Sequence, residues 1–408
     1  MRFLPIYFAF AAGYLLSYLY RTVNAVISPD LVRDLSLDPA SLGLLTSAYF
    51  LGFAAMQIPV GILLDRFGPR RVEPVLLSVA ACGAFLFAWA ESRTGLAVAR
   101  AVIGAGAAAC LMAPLKAIAT WYPRERQASY SGWIMVAGGV GALLATVPLE
   151  FALRVSHWRP VFVGLGIVTL LAAAGIWWRV PDIRAAAVIP SWRVQFAGVR
   201  DVFMHPRFWW IAPLAGFGMG SFMAIQGLWA VPWLMEVEAT SRATAANHLF
   251  AMNFVIMLGY VALGVCGTAL ARRGVEARHL FAGGFALSAL ALVVIWLRAP
   301  GSYLWWSLYG LGAAVNVLAF TTLNEGFGRE LAGRTSTTLN LLMFAGSFVT
   351  QWGIGVVVEA ARTFWNLDSA GGLRVAFAIV MTGNILTYAW FARGWRRHGV
   401  VAHAAASI

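Results

Sequence analysis

Twelve apolar runs, separated by short polar stretches, follow one another along the 408 residues of this chain. A helix that crosses a bilayer needs about 20 predominantly apolar residues. Runs of that length occupy, within a few residues, 6–28, 41–63, 74–91, 95–119, 128–149, 160–178, 209–231, 246–270, 279–297, 303–323, 335–358 and 372–392. They are continuous and do not alternate apolar with polar positions, so they predict helices and not the strands of a barrel. The expected fold is an all-α membrane protein of twelve transmembrane helices.

The longest polar stretch runs roughly from Arg179 to Arg207 and holds five arginines, Asp182 and Asp201. It divides the runs into two sets of six. The expected organisation is an N-terminal six-helix bundle over 1–178, a cytoplasmic linker over 179–208, a C-terminal six-helix bundle over 209–392 and a cytoplasmic tail over 393–408. The first span follows only Arg2 and continues through Tyr18 and Arg21, so it reads as a retained helix and not a cleaved signal.

Composition agrees with this pattern. Hydrophobic residues make up 61% of the chain, charged residues 12%, and the mean hydropathy is +0.75, too little charge for the surface of a soluble domain. The net charge of +13 raises the question of nucleic acid. Its distribution answers it: with the N-terminus inside, the inner segments hold 19 basic residues and the outer segments 9. That asymmetry follows the positive-inside rule and places both termini in the cytoplasm of an inner-membrane protein. No basic cluster carries the interleaved aromatics of a nucleic-acid groove, so no nucleic-acid partner is expected. Cys82, Cys110 and Cys266 all lie in apolar spans, without ligand spacing, and read as packing residues. No cofactor or metal is expected. Neither a phosphate-cradling loop nor a nucleophile elbow is present, which argues against an enzyme.

One joint between spans is unusually dense. Gly61, Asp65, Arg66, Gly68, Arg70 and Arg71 lie between the second and third spans. The glycines allow close approach and a sharp bend, and Asp65 is able to cap a helix N-terminus or pair with an arginine. The stretch resembles the loop between helices 2 and 3 of the major facilitator superfamily, with its pattern G-x-x-x-D-R-x-G-R-R. Gly267, Arg272 and Gly274 repeat the spacing of Gly61, Arg66 and Gly68 at an offset of 206 residues, with Ala271 in place of the aspartate. A parallel six-plus-six repeat predicts such a pair. Tyr20-Arg21 with Pro29, the run Leu42 to Phe50, Gln57-Ile58-Pro59, Trp121 to Arg126 and Trp158 to Phe162 resemble the organic-anion carriers of that superfamily. Those carriers often place an acidic residue beside the first-helix arginine, where this chain has Tyr20. The resemblance implies two six-helix bundles, a substrate site near the midplane and transport by alternating access, with the joint at 61–71 acting as a gate.

Charges inside the membrane are the first candidates for that site, because a cation at the bilayer centre costs about 2.5–3.5 kcal/mol on insertion scales. Arg21 shares a helical stripe with Tyr14, Tyr18 and Asn24, and its guanidinium suits a carboxylate or phosphate. Lys116, the one lysine beside 29 arginines, belongs either to the cavity or to the gate with Asp65. Gln226 and Trp229 are the candidates from the seventh span; Asn253, Asn316, Asn340 and Gln351 read equally well as interhelical hydrogen bonds. All 17 acidic residues fall in loops or near span ends, with Glu150, Glu325 and Glu359 nearest the membrane. Those three and His248 are the candidates for a coupling proton, and a uniporter remains open. The reading is a monomeric transporter of a small organic anion or zwitterion. The alternatives are a proton-coupled drug or cation exporter, to which the glycines of the fifth span give partial support, and a non-transporting sensor on the same fold.

Overall fold

The computed structural model describes residues 3–182, 192–324, 327 and 332–405. Glu325 and, among the basic residues, Arg2, Arg184 and Arg329 lie outside them. Every regular element among the described residues is a helix. Among the described residues ten spans are long and apolar enough to cross a membrane, and a bent pair makes an eleventh. The 33-residue first helix, polar stripe and all, completes the twelve-helix fold.

The first bundle runs α1 (Phe3–Leu35), α2 (Pro39–Ala55), α3 (Gln57–Phe67), α4 (Pro69–Trp89), α5 (Arg93–Ala107), α6 (Met112–Trp121), α7 (Arg124–Leu144), α8 (Val147–Val155) and α9 (Trp158–Arg179). α10 (Trp192–Met204) precedes the second bundle. There α11 (Phe208–Ala224) continues through two π-helical turns, Ile225–Trp229 and Trp233–Val237, on either side of α12 (Ala230–Pro232). α13 (Arg242–Arg272), α14 (Ala277–Trp296), α15 (Ser302–Ala313), a 3-10 turn at Ala314–Val317, α16 (Leu318–Asn324), α17 (Ala332–Trp365) and α18 (Ser369–Ala405) complete it.

Several spans that hydropathy reads as unbroken are interrupted, and proline explains where. A proline ring clashes with the carbonyl four residues earlier and withholds a donor. Pro59 stands four residues after Ala55, the last residue of α2; α2 and α3 meet there at 43°. Pro148 stands four after Leu144, the end of α7, and Pro114 four after Cys110, within the turn between α5 and α6. Pro232 relates in the same way to Leu228, inside the first π turn. The joint glycines have their own reason: Gly68 (φ 76°) and Gly274 (φ 81°), the pair related by the half-chain offset, both take left-handed backbone, which costs glycine nothing.

The end of each bundle that carries the chain termini is termed here the terminus end, and the opposite one the far end. Within the first bundle α2 and α5 touch backbone to backbone. A methyl group at Gly104 would stand 1.9 Å from the Tyr49 carbonyl oxygen, and only small residues allow such approach between membrane helices. Between the bundles the main seam joins α2 to α17. It starts at the far end, where a Cβ on Gly355 would stand 2.3 Å from the Pro39 oxygen. It continues through Phe53 against Phe344, ring centroids 4.1 Å apart, and reaches Gln57, which accepts a 2.5 Å hydrogen bond from Asn340. Beyond that point α3 bends away. At the far end Arg242 of α13 donates to Asp30 of α1 at 2.7 Å, a second tie between the halves.

Gly104→Val is expected to lower the unfolding free energy in detergent by about 1–3 kcal/mol or more through overpacking. Gly264→Ala, where a methyl group meets nothing within 4 Å, should leave the melting temperature unchanged. Equal melting curves for both variants would contradict the α2–α5 contact.

Candidate functional site

Where α1 crosses the seam, Arg21 is buried, 5% exposed. Three aromatic rings surround its guanidinium carbon: Tyr18 at 4.6 Å, Phe53 at 5.3 Å and Phe344 at 5.2 Å from the ring centroids. Two rings come from the first bundle and one from the second. Cation–π attraction in a desolvated place is worth about 2 kcal/mol, so the rings offset part of the burial cost. Nε has no hydrogen-bond partner, and no carboxylate among the described residues forms an ion pair with Arg21. A buried cation with open donor capacity is complementary to an anion.

Next to Tyr18, whose ring faces this cation, lies a small cavity of about 20 Å³ between the bundles, room for roughly one water molecule in this closed arrangement. Tyr18 and Gly139 line it from the first half; Met219, Gln226, Asn253 and Tyr260 line it from the second. Gln226 belongs to the first π turn, a geometry common at functional sites because it frees local backbone and re-aims side chains. It donates to Asn253 at 2.5 Å, and the Asn253 amide nitrogen keeps no partner. A second cavity, also of about 20 Å³ and lined by Ser221, Ser288, Tyr309, Asn316 and Asn384, lies within the second bundle alone. It does not reach the seam.

The remaining candidates are distributed as follows. Tyr14 packs edge-on against Tyr18 at 5.2 Å. Asn24 donates to Thr46 of α2 at 3.1 Å, and Trp229 donates its indole N–H to the Gln351 carbonyl of α17, within the second bundle, at 2.9 Å. Both therefore serve contacts between helices. Lys116 does not join the Arg21 group: it forms an ion pair with Asp65. The partner of Asp65 is thus a lysine, not an arginine or a helix N-terminus. Around it Arg70 donates to the Trp177 carbonyl at 3.0 Å and Arg71 to Asp182 at 2.7 Å. Arg66 lies over its neighbour Phe67 at 5.2 Å. Gly61 borders open space, where an added methyl group would meet nothing within 4 Å. The joint is thus fastened to the fourth and sixth spans of its own bundle.

Two charged residues were not singled out by the sequence. Arg100, counted with the outer segments, is buried in α5; it donates to the Tyr20 carbonyl at 2.7 Å and lies over the Tyr49 ring at 5.0 Å. Its place inside the run 95–119 was the available signal. Glu73, one residue before the run 74–91, is fully buried. The acidic and histidine candidates are engaged elsewhere: Glu150 with Arg154, Glu359 with Arg362, and His248 with the Thr244 carbonyl and, stacked at 3.6 Å, with Tyr303.

Two helical bundles with a cavity between them, and a charged joint at one end, have the architecture of a membrane transporter. The sequence profile of the Major Facilitator Superfamily matches residues 10–351, and the chain belongs to that superfamily, whose members are transporters and not enzymes. It is 32% identical to the hexuronate transporter of Escherichia coli (strain K12) over 164 residues, which cover 40% of this chain and 37% of that protein. The aligned part therefore spans little more than a third of that relative's length. Over 414 residues it is 21% identical to a quinolone resistance transporter of Acinetobacter baumannii, covering 93% of this chain and 92% of that one. In fold it is similar to a bacterial homologue of the human lysosomal transporter Spinster in an inward-facing, unoccupied conformation, with TM-score 0.75, 19% identity and 95% of each chain covered. A D-xylose–proton symporter gives the same TM-score at 15% identity, covering 96% of this chain and 97% of that one.

Asp65→Asn is expected to slow transport severely while substrate affinity stays within a few-fold, because it biases a conformational equilibrium away from the binding cavity. Lys116→Arg retains an ion pair with Asp65 and should transport close to the wild-type rate. Parallel uptake and binding measurements check both; full-speed Asp65→Asn, or an inactive but folded Lys116→Arg, would contradict this arrangement.

Proposed function

We propose that this chain carries a small organic anion, of the sugar-acid class, across the inner membrane by alternating access. The observation that supports it most is Arg21: a buried guanidinium, caged by rings from both bundles and unpaired by any described carboxylate, with one of those rings, Tyr18, lining the inter-bundle cavity. A carboxylate docked on it would gain two parallel charge-assisted hydrogen bonds, and the amides of Gln226 and Asn253 offer partners for hydroxyl groups. Similarity to the hexuronate transporter and, at 23% identity over 68% of this chain, to a probable L-galactonate transporter of Escherichia coli (strain K12) agrees with that class. With residues 1–178 and 209–392 as the two bundles and both termini in the cytoplasm, the far end faces outward. The Asp30–Arg242 pair and the Pro39–Gly355 contact then close the outer side. The chain acts as a monomer.

A second reading has a specific observation behind it. Similarity to the quinolone resistance transporter extends over nearly the whole chain, and methionines and tyrosines line much of the cavity. An exporter of cationic drugs would, however, meet the unpaired charge of Arg21 at its binding site.

Thermal stabilisation of the purified protein by D-glucuronate and D-galacturonate, but not by a cationic quinolone, is the expected result, since a ligand of the folded state raises its apparent stability. Arg21→Ala should weaken uronate binding by about ten- to hundredfold, the equivalent of 1.5–3 kcal/mol for a lost charge-assisted bond. Arg21→Lys, which keeps charge without the fork, should fall between. Unchanged uronate affinity in folded Arg21→Ala would end the anion reading and promote the exporter.

A further inference from the structure

We propose that Glu73 carries the coupling proton of this transporter, an inference that rests on the anion-transport reading above. Glu73 lies one turn into α4, fully buried, and neither carboxyl oxygen has a hydrogen-bond partner. Its room is made by Gly13 of α1, where a Cβ would stand 2.6 Å from Oε1; Leu77 of the next turn borders the same point. Cys110, in the turn between α5 and α6, is buried as well.

Most charged groups on the elements packed around α4 have partners elsewhere, and Arg179, the last residue of α9, makes no hydrogen bond to Glu73. Lys116 of α6 is bound to Asp65 of α3. Arg100 of α5 holds the Tyr20 carbonyl. Arg70 and Arg71, at the start of α4, hold Trp177 and Asp182 near the end of α9. Arg159, at the other end of α9, holds the carbonyls of Ala88 and Ala90. On α1, Arg21 stands eight residues beyond Gly13, about 12 Å along the axis.

A buried carboxyl without partners is tolerated as the neutral acid and strongly disfavoured as the anion. In this arrangement Glu73 therefore holds a proton. Its position lies between the Asp65–Lys116 joint and the Arg21 cage. α6, which follows the interrupted stretch at 108–111, packs against α4. Movement of α6 about that interruption would admit water to the carboxyl group. The step balances: a hydronium O–H bond on one side of the membrane breaks as a carboxyl O–H forms, and on the other side the carboxyl O–H breaks as the proton passes back to water. A monoanion on Arg21 and a proton on Glu73 together move no net charge.

The test uses the full-length protein in liposomes with D-glucuronate as probe. Wild type should exchange D-glucuronate without a pH gradient and accumulate it when the compartment of entry is acid. Glu73→Gln should keep exchange and lose accumulation; Glu73→Asp should retain both at reduced rate. Accumulation by Glu73→Gln equal to wild type overturns the proposal, and so does a wild type that exchanges but never accumulates on a pH gradient. A second readout needs no substrate. Infrared spectra of the wild type should contain the carbonyl stretch of a shielded neutral carboxylic acid that folded Glu73→Gln lacks. Identical spectra overturn the proposal even where transport is not seen. A wild type that shows the band but neither binds nor exchanges D-glucuronate sinks the substrate reading and leaves the protonated carboxyl standing.

Discussion

A guanidinium buried where α1, α2 and α17 meet, with no ion-pair partner among the described carboxylates, is the constraint on which the arrangement turns. Such a charge is costly in a low-dielectric interior, and the chain answers with the quadrupoles of three rings. Because Tyr18 and Phe53 belong to one bundle and Phe344 to the other, the cage is complete only while the α2–α17 seam is closed at that level. In the proposed cycle, opening the seam would strip a ring from the cation, and a bound anion would replace it. Substrate and bundle geometry would then bias the same equilibrium, as alternating access requires.

The motion such a cycle needs has visible joints. Prolines interrupt the second, fourth, fifth and seventh spans, and in each case the break or π turn lies at the carbonyl four residues before the ring. The charged joint at 61–71 fastens α3 and α4 to α6 and α9 of one bundle, through Lys116, Trp177 and Asp182. It therefore holds the first bundle together as a unit, while the Asp30–Arg242 pair ties the two bundles across the far end.

Much of the fold was legible from hydropathy because continuous apolar runs leave few alternatives to spanning helices. The joint was legible because its glycines and charges recur at fixed spacing, and Gly274 shares the left-handed backbone of Gly68. Arg21 stood out by its stripe of tyrosines. The cage did not: Phe53 and Phe344 are ordinary apolar residues 291 positions apart, and only tertiary pairing gives them a part. Lys116 was ambiguous since a lysine near a helix end serves gate and cavity equally well until its partner is known. Arg100 and Glu73 were obscured by their places near span ends, where burial depends on how neighbouring helices are staggered and not on local sequence.

Recognition of a carboxylate by Arg21 at the seam is the central claim, and a ligand–residue cycle tests it most directly. Isothermal titration would compare D-glucuronate with its neutral amide, D-glucuronamide, on wild type and on Arg21→Ala. The expected result is a preference for the acid of about ten- to hundredfold in the wild type, and its disappearance in the variant. An equal preference in both proteins would show that another group reads the carboxylate and would contradict the claim.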